Sequence, residues 1–225
     1  MKYAVIVAGG SGKRMNHAIP KQFILLEDKP ILFYTVQKFI DFSPDLKVIL
    51  VLPAEVLLDT DFVSTYLPDS RNIQTVAGGE TRFHSVQNGL QAIEGEGIVF
   101  IHDGVRPFVS HTVLNRCLKG ATEFGNAIPY IDLKDSIRQV NAAGNTAVPR
   151  HEYKAIQTPQ TFNITDIKKA FEQSFDEHFT DEASVFEKAG HLIHLVEGNE
   201  ENIKITTPQD LEVAKILLRK EKLLI

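Results

Sequence analysis

The apolar run from Tyr3 to Ala8 ends abruptly in Gly9-Gly10-Ser11-Gly12, and two cations, Lys13 and Arg14, follow at once. A continuously apolar strand that empties into glycines is buried on both faces, the habit of parallel α/β sheets. Successive backbone N–H groups in such a turn make an anion-binding nest, which Arg14 reinforces. Glycine also has no Cβ to keep a base or ribose away from the main chain. A plain tight turn after a first strand would use the same glycines, so the loop alone leaves both readings open.

Spacing narrows the choice. A P-loop needs Gly-x-x-x-x-Gly-Lys-Ser/Thr, but counting back from Gly12-Lys13 puts Val7 at the first glycine, and Arg14 follows the lysine. A dinucleotide fingerprint on Gly10-Ser11-Gly12 meets Met15 where the third small residue belongs. Further on, Pro20 stiffens the approach to Lys21, which can return to the same mouth as Arg14. Two cations and a nest suit a triphosphate.

The rest of the chain alternates strand and helix. Strands are predicted at Lys2–Ala8, Lys47–Leu52, Ile73–Ala77, Ile98–His102 and Asn126–Pro129, with helical periodicity between them. Pro30 begins one helix, Thr81 opens another, and Ser110 caps a third. Later helices fall at Thr165–Ser174, Asp181–Ala189 and Pro208–Leu218, and strands near Ala155–Gln157, His191–Val196 and Ile203–Ile205 extend the sheet. The expected fold is one α/β domain over residues 1–225, a Rossmann-like three-layer αβα arrangement with a mostly parallel central sheet. Residues 131–151 break the rhythm with short alternating pieces around a turn at Asn141 to Asn145. They read as a projecting β-hairpin arm, either a surface decoration or a contact to another subunit.

Composition bounds the function classes. With 225 residues, 43% of them hydrophobic, the chain can bury a sizeable core. A net charge of −5 argues against nucleic acid and anionic membranes as partners, since both need a basic face. No apolar stretch is long enough for a signal peptide or membrane span, so a cytoplasmic location is expected. The lone Cys117 allows no disulfide within the chain and reads as a small buried side chain.

Two further stretches carry chemistry. "HDGVRP" ends a predicted strand at the sheet edge where α/β ligands gather. Asp103 there is a candidate Mg2+ ligand, because a hard cation takes carboxylate and phosphate oxygens, although an isolated Asp at a turn is often a cap. Arg106 either supports Asp103 or reaches a substrate phosphate. In "GGETRFHSV", Gly78 and Gly79 give a second close backbone approach, and Arg82 and Ser85 stand near a helix start. Thr180 before "DEAS" reads as a helix cap.

"AGGSGKRM", "PKQF", "GGETRFHSVQNGL", "HDGVRPFV", "QTPQTF", "TDEAS" and "EGNEENIKIT" occur in that order over nearly the whole chain. The ordered set resembles the nucleotidyltransferases that join sugar or polyol phosphates to nucleotides, and among them the 2-C-methyl-D-erythritol 4-phosphate cytidylyltransferases. The resemblance implies attack by a polyol phosphate on the α-phosphorus of CTP, with a divalent cation, Mg2+, as cofactor. It implies that Arg14 and Lys21 stabilise the transition state, that Arg150 and Lys204 meet the second substrate's phosphate, and that Thr180 contacts the polyol. Ala8, Gly9, Gly10, Gly12, Gly78, Gly79, Arg82 and Ser85 become nucleotide contacts, joined by Asp103, Gly104 and Arg106, with Asp103 on the metal. The resemblance further implies a homodimer in which the 131–151 arm carries Arg150 to the neighbouring site. Many relatives have Ala-Ala where this chain has Gly104-Val105; a backbone N–H contact would survive that change, and Val105 would add bulk near the polyol. Ribitol 5-phosphate is the alternative acceptor. A nucleotide-binding protein without catalysis and a nicotinamide-dependent dehydrogenase are the readings from other classes.

Overall fold

In the computed structural model, which describes residues 1–9, 20–58, 67–68 and 71–223, the first apolar run forms β1 (Lys2–Val7). Tyr3 and Val5 enter one core while Ala4, Ile6 and Ala8 enter another, so the period of two places apolar groups on both faces. A short hairpin, β2 (Leu25–Leu26) and β3 (Lys29–Pro30), leads into α1 (Ile31–Phe42), β4 (Lys47–Leu52) and α2 (Ala54–Leu57). There follow β5 (Ile73–Ala77), α3 (Arg82–Gln91), β6 (Ile98–Asp103), α4 (His111–Phe124) and β7 (Asn126–Asp132). The chain continues through β8 (Arg138–Asn141), β9 (Gly144–Ala147), β10 (Lys154–Ile156) and β11 (Gln160–Asn163). It ends with α5 (Ile164–Ala170), α6 (Glu182–Lys188), β12 (Leu195–Glu197) and α7 (Pro208–Lys222).

The main sheet runs β10-β7-β11-β6-β1-β4-β5, with β12 also on β7. The β6-β1-β4-β5 ladders and the β7-β12 ladder are parallel, whereas β11 lies antiparallel between β6 and β7, and β10 lies antiparallel on β7. Leu32, Val36 and Phe39 of α1 and Val113, Leu114 and Cys117 of α4 cover one face. Phe83, Val86 and Leu90 of α3, Ile164 and Ile167 of α5, and Val185 and Phe186 of α6 cover the other, giving three layers. Each large side chain fully buried in these cores contributes on the order of 2 kcal/mol. α7 packs Ala214 and Leu218 on a third cluster with Val105, Phe108 and Ile205. Among the described residues no helix is long and apolar enough to cross a membrane.

Local chemistry sets the helix starts. Thr81 accepts a hydrogen bond from the His84 N–H at the head of α3, and Ser110 accepts one from Val113 at the head of α4. Gly125, at φ 82°, closes α4 in the left-handed conformation that suits glycine. On α3, a Cβ at Gly89 would come within 2.6 Å of Val5 Cγ1. That close approach lays α3 directly on β1.

The structure corrects several sequence expectations. Ile203–Ile205 is no strand: Ile205 is buried and its N–H donates to Val105 O at 3.0 Å, one bond to a turn in place of a ladder. The last sheet strand is shorter than His191–Val196 and lies at its end. The helix predicted to Ser174 stops at Ala170: Phe171 caps it, its N–H still on Ile167 O, the Glu172 N–H tightens to Lys169 O at 3.1 Å, and the Phe171 ring stacks on Phe83 with centroids 4.7 Å apart. Thr180 is not a cap. Asp181 holds that position, in a capping box with Ser184. β11 had no predicted counterpart, since four residues carry too little periodicity to register. Residues 138–147 form a two-stranded sheet of their own, exposed along both strands.

Candidate active site

Parallel register brings three turns to one sheet edge. Val7 pairs with Asp103, and Leu52 pairs with Ala77, so the chain leaves β1, β6 and β5 at the same level. Ala8 N–H donates to Val51 O at 2.9 Å, Gly78 N–H to Leu52 O at 2.8 Å, and Gly104 N–H to Val7 O at 2.9 Å. The last bond is a correction: the Gly104 N–H is committed to the strand and is not presented to a ligand.

A cavity of about 400 Å³ opens above these turns. Ala8, Gly9 and Lys21 line one side, Gly79, Arg82 and Ser85 another, and Asp103 and Lys204 reach it as well. The Gly79 N–H donates to Ser85 Oγ at 3.1 Å, and a Cβ on Gly78 would stand 3.2 Å from the same oxygen. A Cβ on Gly9 would stand 3.4 Å from it too, so Ser85 packs against both glycine turns. Buried Gln22 donates to Ala8 O at 2.6 Å, tying the Lys21 segment to the end of β1. Val105 lines this cavity and not the second one described below.

A second cavity, about 250 Å³, is lined by Arg106, Thr158 and Thr180 and shares Arg82, Asp103 and Lys204 with the first. Arg150 lies outside both linings; its guanidinium donates to Lys134 O on an exposed turn. Arg14, Gly10 and Gly12 lie outside the described residues.

Asp103 is the electrostatic centre. Its Oδ1 meets Arg82 Nη2 at 3.2 Å, and its Oδ2 meets Arg106 Nε at 3.2 Å and Lys204 Nζ at 2.9 Å. Burial alone would raise its pKa, but Arg82, Lys204 and Arg106 outweigh that and hold the carboxyl well below the usual range. Arg82 also clamps the buried Glu182 through Nη1 and, at 3.2 Å, through Nη2. Burial pushes the Glu182 pKa up against the pull of Arg82. Sequence reasoning placed Glu182 in a helix first turn and missed this pairing across 100 residues, for which no local signal exists. Next to Asp103, His102 is fully buried, and burial lowers its pKa to about 4.

The donor set also bears on a divalent ion. Among the described residues no three His, Cys, Asp or Glu side chains converge on a metal position. Asp103 is a single buried carboxylate beside a cavity rich in cations. That set fits Mg2+, which takes one or two carboxylates and fills its shell with phosphate oxygens and water.

The family described as IspD, 2-C-methyl-D-erythritol 4-phosphate cytidylyltransferase, matches residues 2–220. The chain belongs to this family. Proteins called 2-C-methyl-D-erythritol 4-phosphate cytidylyltransferase are similar to it: one from Phocaeicola vulgatus is 45% identical over 96% of this chain and 99% of its own length. Another, from Bacteroides fragilis, is 48% identical over 96% of this chain and 98% of its own. Among solved structures, the cytidylyltransferase of Francisella tularensis superposes with a TM-score of 0.78 at 31% identity, covering 96% of this chain and 98% of that one. The Thermus thermophilus structure gives 0.78 at 28% identity over 97% and 100%. In this member of the family two adjacent cavities meet at one charge cluster, sharing Arg82, Asp103 and Lys204.

Proposed function

We propose that the protein transfers the cytidylyl group of CTP to 2-C-methyl-D-erythritol 4-phosphate, releasing pyrophosphate and 4-diphosphocytidyl-2-C-methyl-D-erythritol for non-mevalonate isoprenoid synthesis. The observation that carries this reading is the sharing of Arg82, Asp103 and Lys204 between two adjacent cavities. In the reaction an acceptor phosphate oxygen forms a bond to the α-phosphorus while the bond to the bridging oxygen of the β-phosphate breaks. Both reactants are anions, so positioning and charge stabilisation dominate, with little covalent work for side chains.

CTP takes the first cavity, its base and ribose against Gly78, Gly79 and Ser85 and its phosphates toward Lys21. The acceptor takes the second, with its phosphate near Lys204 and Arg106 and its polyol beside Thr180. Lys21 and Arg14 stabilise the charge that builds on the α-phosphate. Asp103 would hold Mg2+, which would supply charge neutralisation at the phosphate oxygens.

The protein works as a homodimer in the cytoplasm in this reading. An isolated two-stranded hairpin is marginal in water, and β8–β9 is exposed along its length with Val140 bare, which suits an arm completed by a second subunit. Arg150 follows that arm and stands away from its own chain's cavities, as a residue donated to the neighbour would. Buried, unpaired Cys117 accords with a reducing compartment.

Incubation with CTP, Mg2+ and each polyol phosphate in turn, with pyrophosphate as the readout, tests the assignment. Release with methylerythritol phosphate is expected. Release only with ribitol 5-phosphate would overturn the acceptor, and no release with either would leave a nucleotide-binding protein.

A further inference from the structure

Four hydrogen bonds close a ring among His102, Arg106, Asn202 and Thr158. His102 Nε2 lies 3.0 Å from Arg106 O, Arg106 Nη1 donates to Asn202 O at 2.7 Å, and Asn202 Nδ2 donates to Thr158 O at 2.8 Å. Thr158 Oγ1 completes the circuit 2.9 Å from His102 Nδ1. His102 and Asn202 are fully buried and Thr158 is nearly so.

The Arg106 carbonyl decides where the imidazole proton sits. A carbonyl only accepts, so the neutral ring carries its hydrogen on Nε2, and Nδ1 is an acceptor. Thr158 therefore donates its hydroxyl hydrogen to Nδ1. Its oxygen accepts from the Asp103 N–H at 3.1 Å. The ring thus joins three segments that each deliver a group to the second cavity: Asp103 at the end of β6 with Arg106 just after it, Thr158 before β11, and Lys204 two residues past Asn202. His102 itself lines neither cavity.

We propose that His102 is a positioning residue for the transfer reaction, holding the Asp103–Arg106 turn, Thr158 and the Lys204 loop in the register that receives the acceptor phosphate. The inference rests on the proposed function. It differs from a packing role in one respect: a residue that merely stabilises the fold affects both substrates alike, whereas the ring's own members Arg106 and Thr158 line the second cavity and not the first.

The test uses the full-length protein. His102→Phe keeps a ring of similar shape beside Phe39, whose centroid is 5.1 Å away, and deletes both hydrogen bonds. It is expected to raise the acceptor KM and lower kcat by about tenfold each while the CTP KM stays within about twofold. His102→Gln restores a donor near Nε2 and His102→Asn an acceptor near Nδ1, and each is expected to recover part of the loss. Thr158→Val should reproduce the split, and the double variant with His102→Phe should be no worse than the worse single one, because the two side chains act through one bond.

Unchanged acceptor KM and kcat in His102→Phe, equal losses for both substrates, or additive losses in the double variant overturn the proposal. If His102→Phe does not fold, the Gln and Asn variants carry the same comparison, and two wild-type profiles overturn it. Nitrogen NMR of the ligand-free parent reads the tautomer without any turnover. Nε2–H is expected, and Nδ1–H refutes the ring even in an active enzyme. A parent that releases no pyrophosphate with any acceptor refutes the proposed function instead, and leaves the NMR outcome to decide the ring.

Discussion

Lys204 Nζ sits 2.9 Å from Asp103 Oδ2, which ties the loop before α7 to the end of β6. Arg82 and Arg106 meet the same carboxylate, so Asp103 is the common counter-charge of three cations from three segments. Asp103→Asn keeps the shape and removes that charge, leaving the cations to repel one another. Turnover is expected to fall at least about 100-fold and the melting temperature by about 5 °C. Steady-state kinetics and calorimetry read the two effects; an equally stable variant would show that the cations are held by something other than Asp103.

Acid should weaken the fold in two stages. Burial holds the His102 pKa at about 4 in the folded protein, against about 6.5 when unfolded. Between those values the unfolded chain binds a proton that the native state refuses, so the stabilisation is complete above about pH 6.5 and drains away toward pH 4. It amounts to about 3 kcal/mol. Asp103 acts lower: its folded pKa is depressed, so its contribution is present above about pH 3.9 and is lost as pH falls further. Urea midpoints from pH 8 to pH 3 should show the first stage and the onset of the second. A flat profile from pH 7 to pH 4.5 would contradict the buried neutral imidazole.

Lys21→Ala is expected to cut kcat by about 100-fold while CTP affinity drops much less, since a cation aimed at developing charge acts mainly in the transition state. Calorimetric CTP titration beside turnover measurements separates the two. Matching losses in both would make Lys21 a ground-state contact.

Gly79→Ala probes the nucleotide turn. A Cβ there would overlap the Cβ and backbone of His84 at the head of α3, so the turn or the helix must shift. The Gly79–Ser85 bond would go with it. CTP KM should rise about tenfold or more with a smaller change for the acceptor. The reverse pattern would place the base elsewhere.

The parallel core was legible because β1, β4 and β6 are apolar on both faces and their helices announce themselves through Pro30, Thr81 and Ser110. Glycine and charge punctuation likewise marked Gly79, Lys21 and Asp103. What pattern reasoning missed depends on tertiary pairing. β11 exists because β6 and β7 leave a gap that a four-residue antiparallel strand fills, and Glu182 pairs with Arg82 only after the sheet is assembled. The His102 ring is invisible for the same reason: Asn202 and Thr158 are 44 residues apart. Ile203–Ile205 misled because buried apolar residues in an extended connection look like a strand.

Arg150 offers the most direct test of the dimeric reading. It belongs to a short turn after β9 and bonds the Lys134 carbonyl, while Lys21 and Lys204 of the same chain line the cavities. If Arg150 serves the neighbouring site, Arg150→Ala and Lys21→Ala each inactivate every site of their own homodimer. Mixed and re-equilibrated in equal amounts, half of the dimers would be hybrids. In a hybrid, the protomer bearing Arg150→Ala retains Lys21 and receives an intact Arg150 from its partner, so one of two sites is whole. About one quarter of wild-type activity should then return. Dilution below the dimer dissociation constant should abolish it again. Mixtures that stay inactive despite proven subunit exchange would place Arg150 in its own chain's site, and full activity of a monomer would remove the dimer from the mechanism altogether.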